Sequence, residues 1–237
     1  MADRDRASGS LQAHDSVRAI PLRVSNAYLV KGDRGFVLID TGFRFDRTRL
    51  EHDLAAAGCR PGDLRLILVT HADADHSGNA AYLRETYGAA IAAHRLEARG
   101  VERGDMFLCR SRLRLRLRLA RPLMALFRLR KADRFTPDLY LGDGDRLDAH
   151  SLDATVLHVP GHTVGSIAVL TGDGAFFSGD FLEDRRRPSI ATLVDDADAL
   201  RASYDRVKGL GIRVVYPGHG RPFALEEIGG PWEGSKP

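Results

Sequence analysis

The chain lacks several features that would fix its class at once. No apolar run in its 237 residues approaches the roughly 18 needed to span a membrane. Residues 1–15 are polar and carry no apolar core of a secretory signal, so they read as a loose tail. Cysteine occurs only twice, as Cys59 and Cys109, far apart and without metal-type spacing. That usage excludes a disulfide framework and suits buried thiols in a reducing cytoplasm. There is no internal repeat, and no linker rich enough in Gly, Pro or Ser to mark a domain boundary. Acidic residues are missing from 110–131, which holds nine basic ones. Since the whole chain carries only +3, the remainder is net acidic. The basic character is therefore local, and no nucleic-acid partner is expected from it.

What is present is a chain that is 43% hydrophobic, enough for a sizeable core. Residues 17–30 read as two short strands and 32–35 as the turn into a third, 36–39, which ends in Asp40-Thr41-Gly42. A helix is expected over 47–57, stopped by Gly58. The apolar run 64–69, with Arg65 its only charge, reads as a buried strand that enters Thr70-His71-Ala72-Asp73-Ala74-Asp75-His76. Residues 77–87 are the expected helix after it. A strand over 89–93 ends at His94. The Arg/Leu-rich 110–131 fits a helix better than a strand, because its apolar stripe continues past Pro122. Strands follow over 154–159, 166–171, 175–177 and 212–216, with a helix between the last two capped by Asp195 or Asp196. Strands come first and helices after in each half, which suggests two sheets packed face to face with helices outside.

Chemistry concentrates at strand ends. Two histidines and two aspartates fall within six residues after the 64–69 strand, where neither packing nor a solvated face accounts for them. Asp40, His162, Asp180 and His219 each close another strand. Gly161, Gly179 and Gly218 immediately precede the last three, and glycine permits the sharp turn that aims each side chain inward. His94 reads as a partly buried strand-end residue and His158 as an interior one. His14, His52 and His150 read as surface residues.

In their order, Asp40-Thr41-Gly42, His71-x-Asp73-x-Asp75-His76, Pro160-Gly161-His162-Thr163, Gly179-Asp180 and Pro217-Gly218-His219-Gly220 resemble the metallo-β-lactamase-fold hydrolase superfamily. The resemblance runs from about residue 17 to 223. It implies an α/β fold, a four-layer αββα sandwich of two mixed β-sheets with helices on the outer faces. It also implies one such domain over 16–225, with a basic helical insertion at about 105–132 and a C-terminal tail over 226–237. Carried over by position, it implies two divalent metal ions. One is held by His71, Asp73 and His162, the other by Asp75, His76 and His219, and Asp180 bridges them. Asp40 orients a ligand from behind. Asp75 is the expected catalytic residue, orienting or deprotonating a water held between the ions. The commonest family pattern has histidine where this chain has Asp73. Three carboxylates and a hydroxide balance two divalent ions, whereas the common pattern leaves one positive charge over. Zinc is the expected ion because four histidines remain, and the extra carboxylate keeps manganese and iron as alternatives.

The implied activity is metal-dependent hydrolysis of an ester, thioester, lactone or phosphoester in a small-molecule substrate, an anionic one among the options, in the cytoplasm. Two alternatives stay open: a di-iron protein that reduces oxygen or nitric oxide, and a non-catalytic binding module on the same fold. For 110–131 three roles remain, a packed or homodimer surface with a solvated basic face, a lid over the pocket, and a weak contact with a membrane surface.

Overall fold

The computed structural model describes residues 14–111 and 128–229. The expected helix over 110–131 therefore falls mostly outside the described residues, as do most of the N-terminal tail and the C-terminal tail beyond residue 229.

Six strands form the first sheet in the order β1 to β6: Val17–Pro21, Asn26–Gly32, Gly35–Ile39, Leu64–Val69, Ala90–His94 and Leu139–Leu141. The first three pair antiparallel, and β3 to β6 pair parallel. The second sheet has the order β12-β9-β8-β7, with β7 at Ala154–His158, β8 at Ile167–Thr171, β9 at Ala175–Gly179 and β12 at Val214–Pro217. Here β9 pairs parallel with β12 and antiparallel with β8. A small antiparallel ribbon, β10 (Leu182–Glu183) and β11 (Ser189–Ile190), follows β9 in the chain. Both sheets are thus mixed, as expected.

Side-chain alternation builds the layers. Along β3, Val37 and Ile39 point to the layer between the sheets, while Leu38 points to the outer layer under the helices. On β9, Ala175 and Phe177 face the first sheet, and Phe176 faces outward. Helices α1 (Arg47–Ala56) and α3 (Ala80–Tyr87) cover the first sheet through Leu50, Leu54 and Leu83. Helix α5 (Ala197–Val207) covers the second through Leu200 and Val207, and the Asp196 side chain caps it by accepting from Asp198 and Ala199 N–H groups. The period of two decides the fold, because a one-residue slip would send every one of these apolar side chains to the wrong layer. Among the described residues no helix is long and apolar enough to cross a membrane.

Two expectations need correction. The helix after β4 is not continuous over 77–87. A single turn, α2 (Ala74–Ser77), comes first, and the chain breaks at Gly78 and Asn79 before α3. Asn79 Nδ2 donates to the Thr41 and Phe43 carbonyls at 2.7 Å each. A Cβ on Gly78 would lie 2.7 Å from the Gly42 carbonyl oxygen. Docking onto the turn after β3 thus overrides helix continuity. His14 is not a surface residue either. Its side chain is buried against the Tyr216 hydroxyl, 3.2 Å from Nδ1.

His94 caps α4 (Arg95–Arg103), its Nδ1 accepting from the Leu96 N–H at 3.3 Å, and its ring stacks on His158. Burial, then His158 and Arg95, push its pKa down to about 4. An unfolded histidine titrates near 6.5. The contribution of His94 is therefore fully present above about pH 6.5 and lost as pH falls toward about 4, where the cap acceptor is protonated. His94→Asn caps without titrating. Its melting temperature should fall less steeply across that interval than that of the wild type in thermal scans; parallel slopes would contradict the assignment.

Candidate metal centre

All the strand-end residues arrive at one rim. Asp40 follows β3 directly, and Thr70 and His71 follow its parallel neighbour β4. Asp180 follows β9, and His219 lies two residues past its parallel neighbour β12. His162 lies four residues past β7. Asp40 takes up a left-handed backbone, φ 59°, which a short carboxylate tolerates better than most side chains. There its Oδ1 accepts from the Thr70 N–H at 2.9 Å, and its Oδ2 accepts from Thr70 Oγ1 and His76 Nδ1 at 2.8 Å each. Gly179 has φ 51°, and a Cβ there would meet Thr70 Oγ1 at 2.7 Å. Gly218 serves differently from the turn expected of it. A Cβ at that position would stand 2.4 Å from Asp180 Oδ1 and 2.7 Å from His76 Cε1, inside the centre itself.

The hydrogen bonds fix the tautomer of each histidine. His162 Nδ1 faces the Leu193 carbonyl at 2.7 Å, and His219 Nδ1 faces the Val24 carbonyl at 2.8 Å. A carbonyl only accepts, so both Nδ1 atoms donate. His76 Nδ1 donates to Asp40 in the same way. Thr70 gives its proton to Asp40, so its oxygen accepts from His71 Nδ1 at 3.0 Å. In the neutral rings, all four Nε2 atoms therefore present lone pairs, and they converge with the carboxylates. His162 Nε2 lies 3.4 Å from Asp73 Oδ2 and 3.7 Å from Asp180 Oδ2. His71 Nε2 lies 3.7 Å from Asp73 Oδ2. His219 Nε2 lies 3.2 Å from Asp180 Oδ2 and 3.5 Å from Asp75 Oδ2. His76 Nε2 is 3.1 Å from Asp180 Oδ1 and 3.8 Å from Asp75 Oδ2.

Acceptors gathered at these distances repel unless a cation joins them. His71 Nε2 and Asp180 Oδ1 are buried atoms with no hydrogen-bond partner among the described residues, so the proximity of Asp180 Oδ1 to His76 makes no aligned bond. Among the described residues, three overlapping triads have the spacing to hold an ion: His71, Asp73 and His162; His71, His76 and Asp180; and Asp75, His76 and His219. They suggest a two-ion site. Without ions, protons are the substitute. Burial pushes His76 toward its neutral form, but Asp180, Asp40 and Asp75 outweigh it and hold its pKa well above the usual imidazole range. Burial also opposes ionisation of Asp180, yet His76 and His219 hold its carboxyl well below the usual range.

All eight expected residues thus meet, Asp40 behind the others. Asp73 stands at the N-cap position of α2 but does not cap it. Burial would raise its pKa; Arg110, then His71 and His162, hold it well below the usual carboxylate range. Asp75 is the most exposed of the seven that converge.

Two residues escape the sequence reading. Arg110 belongs to the basic segment by composition, yet its side chain is 2% exposed and grips Asp73. The only sequence signal is its place at the start of a run otherwise alternating Arg and Leu. Glu97, on α4, is fully buried. Its Oε2 accepts from the Ala72 N–H at 2.7 Å; its Oε1 accepts from Thr163 Oγ1 at 2.8 Å and the Gly165 N–H at 2.9 Å. One carboxylate ties the loop carrying His71 and Asp73 to the loop carrying His162. Nothing in its local pattern separates it from an ordinary helical glutamate.

The chain belongs to the metallo-β-lactamase superfamily, whose family model matches residues 20–219, and it is a hydrolase of that fold. Among its relatives is the bovine (Bos taurus) acyl-coenzyme A thioesterase MBLAC2, 31% identical over 223 residues, covering 86% of this chain and 76% of the relative. A hydroxyacylglutathione hydrolase of Cereibacter sphaeroides is 35% identical over 130 residues, 54% of this chain and 38% of that protein. Among solved structures, TTHA1623 in a di-iron-bound form is 32% identical, with a TM-score of 0.65 and coverage of 85% of this chain and 90% of that one.

Glu97→Ala strands two buried N–H groups and uncouples the two loops. It should lower stability by roughly 2–5 kcal/mol in urea unfolding of the metal-free protein and weaken metal binding by roughly 10–100-fold in chelator competition. Unchanged values in both would remove Glu97 from this role.

Proposed function

We propose that this protein is a metal-dependent thioester hydrolase. The carrying observation is the acceptor-only cage of four Nε2 lone pairs and three carboxylates. His71, Asp73 and His162 would hold one ion, and Asp75, His76 and His219 the other, with Asp180 placed to reach both. Two divalent ions, when bound, lower the pKa of a water and polarise the carbonyl under attack. The protein's own groups do the rest. Asp40 and the Leu193 and Val24 carbonyls hold His76, His162 and His219 in the tautomer that turns Nε2 inward. Asp75, the most exposed carboxylate of the set, would orient the attacking water or take its proton.

Thioesters are favoured over the other bonds for two reasons. The relatives named an acyl-coenzyme A thioesterase and a hydroxyacylglutathione hydrolase both cleave thioesters. A thiol also ionises near pH 8.5, so it departs without a proton donor, and the cage offers acceptors only. Zinc is the proposed ion because four imidazoles suit it; three carboxylates also suit iron, which the similar TTHA1623 holds. The buried, unpaired Cys59 and Cys109 fit a cytoplasmic setting.

Purified protein should release free thiol from acyl-coenzyme A or acylglutathione, detected with a chromogenic thiol reagent. It should do so at least about tenfold faster in kcat/KM than it cleaves the matching oxoester. His76→Ala and Asp180→Ala should lose bound metal and thiol release together. Faster cleavage of a phosphodiester, or full activity in metal-free variants, would overturn the proposal. Oxygen or nitric oxide consumption by iron-loaded protein without thioester cleavage would establish the redox alternative.

A further inference from the structure

Replacing a histidine ligand by Asp73 removes a positive charge from a two-ion site, and the structure shows where it is returned. Arg110 Nη1 donates to Asp73 Oδ1 at 2.9 Å and Nη2 to Oδ2 at 2.7 Å, the forked geometry of the strongest carboxylate pairs. Nη1 also donates to the Met106 carbonyl at 3.0 Å, which fixes the guanidinium in place. The fork takes one lone pair on each carboxylate oxygen and leaves the others. Asp73 Oδ2 still faces His162 Nε2 at 3.4 Å and His71 Nε2 at 3.7 Å. Donors about 2.0–2.1 Å from one tetrahedral ion stand roughly 3.3 Å apart, so these separations fit ligands of a common ion. A carboxylate oxygen has lone pairs enough for both partners.

We propose that Asp73 and Arg110 act as one unit, a carboxylate ligand with its own counter-ion. The unit restores the charge a histidine would have left and makes the His71, Asp73 and His162 subsite the weaker of the two. Arg110 Nη2 also lies 3.4 Å from His162 Nε2, so a fixed positive charge borders two of the three donors. The Asp75, His76 and His219 subsite has no such neighbour: Asp75 makes no ion pair with arginine or lysine among the described residues. The two subsites should fill in order, Asp75, His76 and His219 first. Arg110 is thus a positioning residue that sets metal affinity through Asp73. This proposal rests on the two-ion reading above.

Zinc titration of metal-free protein against a chromophoric chelator tests it. The wild type should bind two ions in two separated steps. In Arg110→Met the weaker step should tighten at least about tenfold, because a like charge is gone. Arg110→Lys keeps the charge without the fork and should stay within about threefold of the wild type. In an Asp73→Asn background the Met substitution should change the weak step by less than about threefold, since the unit is already broken. Metal-free Arg110→Met should melt below the wild type, and zinc should raise its melting temperature by more. If that variant does not fold, Arg110→Gln, which keeps an N–H donor for Asp73 without the charge, takes its place, and the same tightening of the weaker step is expected. Two steps in the wild type with an unchanged or weakened weak step in Arg110→Met would overturn the unit alone. A wild type that binds no zinc would overturn the two-ion reading with it.

Discussion

Four imidazoles with their Nδ1 protons already committed are the constraint on which the rest of this structure depends. Asp40, Thr70 and the Leu193 and Val24 carbonyls each take one of those protons. What faces inward is then a set of lone pairs opposite three carboxylates, and such a set is held together only by positive charge. The fold exists around that problem. Two mixed sheets bring five strand ends to one rim, and the alternation of Val37, Leu38 and Ile39, or of Ala175, Phe176 and Phe177, keeps each strand in the register that delivers its terminal side chain to the site.

Positive charge reaches the site in two forms. Divalent ions are the form the donor set suits, and Arg110 is the form the chain provides itself. Asp73 is where the two meet, its carboxylate facing one guanidinium and two imidazoles. Glu97 solves a mechanical version of the same problem, tying the loops of His71 and His162 together so that a ligand set drawn from both sheets stays in one geometry. On the proposed reading, a site with no proton donor for the leaving group suits a leaving group that departs as an anion, such as a thiolate.

Much of this was legible in the sequence because strands and their terminal ligands are local signals. The apolar run into His71-x-Asp73-x-Asp75-His76, and the two Pro-Gly-His units, mark six candidate ligands by pattern alone. Partnerships across the fold were not legible. Arg110 looked like one more cation in a basic run, and only tertiary packing reveals its burial against Asp73. Glu97 reads as any helical glutamate. Gly218 was expected for its backbone freedom, whereas the structure needs its lack of a side chain. Asn79 interrupts the helix after β4 through bonds to residues 36 and 38 positions away, a distance no local propensity senses. His14 is hidden by Tyr216, far along the chain.

The central claim is that the cage exists to hold two divalent ions. Anomalous diffraction from crystals of zinc-loaded protein tests it most directly. The account predicts two peaks, one among His71, Asp73 and His162 and the other among Asp75, His76 and His219, with Asp180 beside both. An absence of anomalous signal between these side chains at saturating zinc would contradict it.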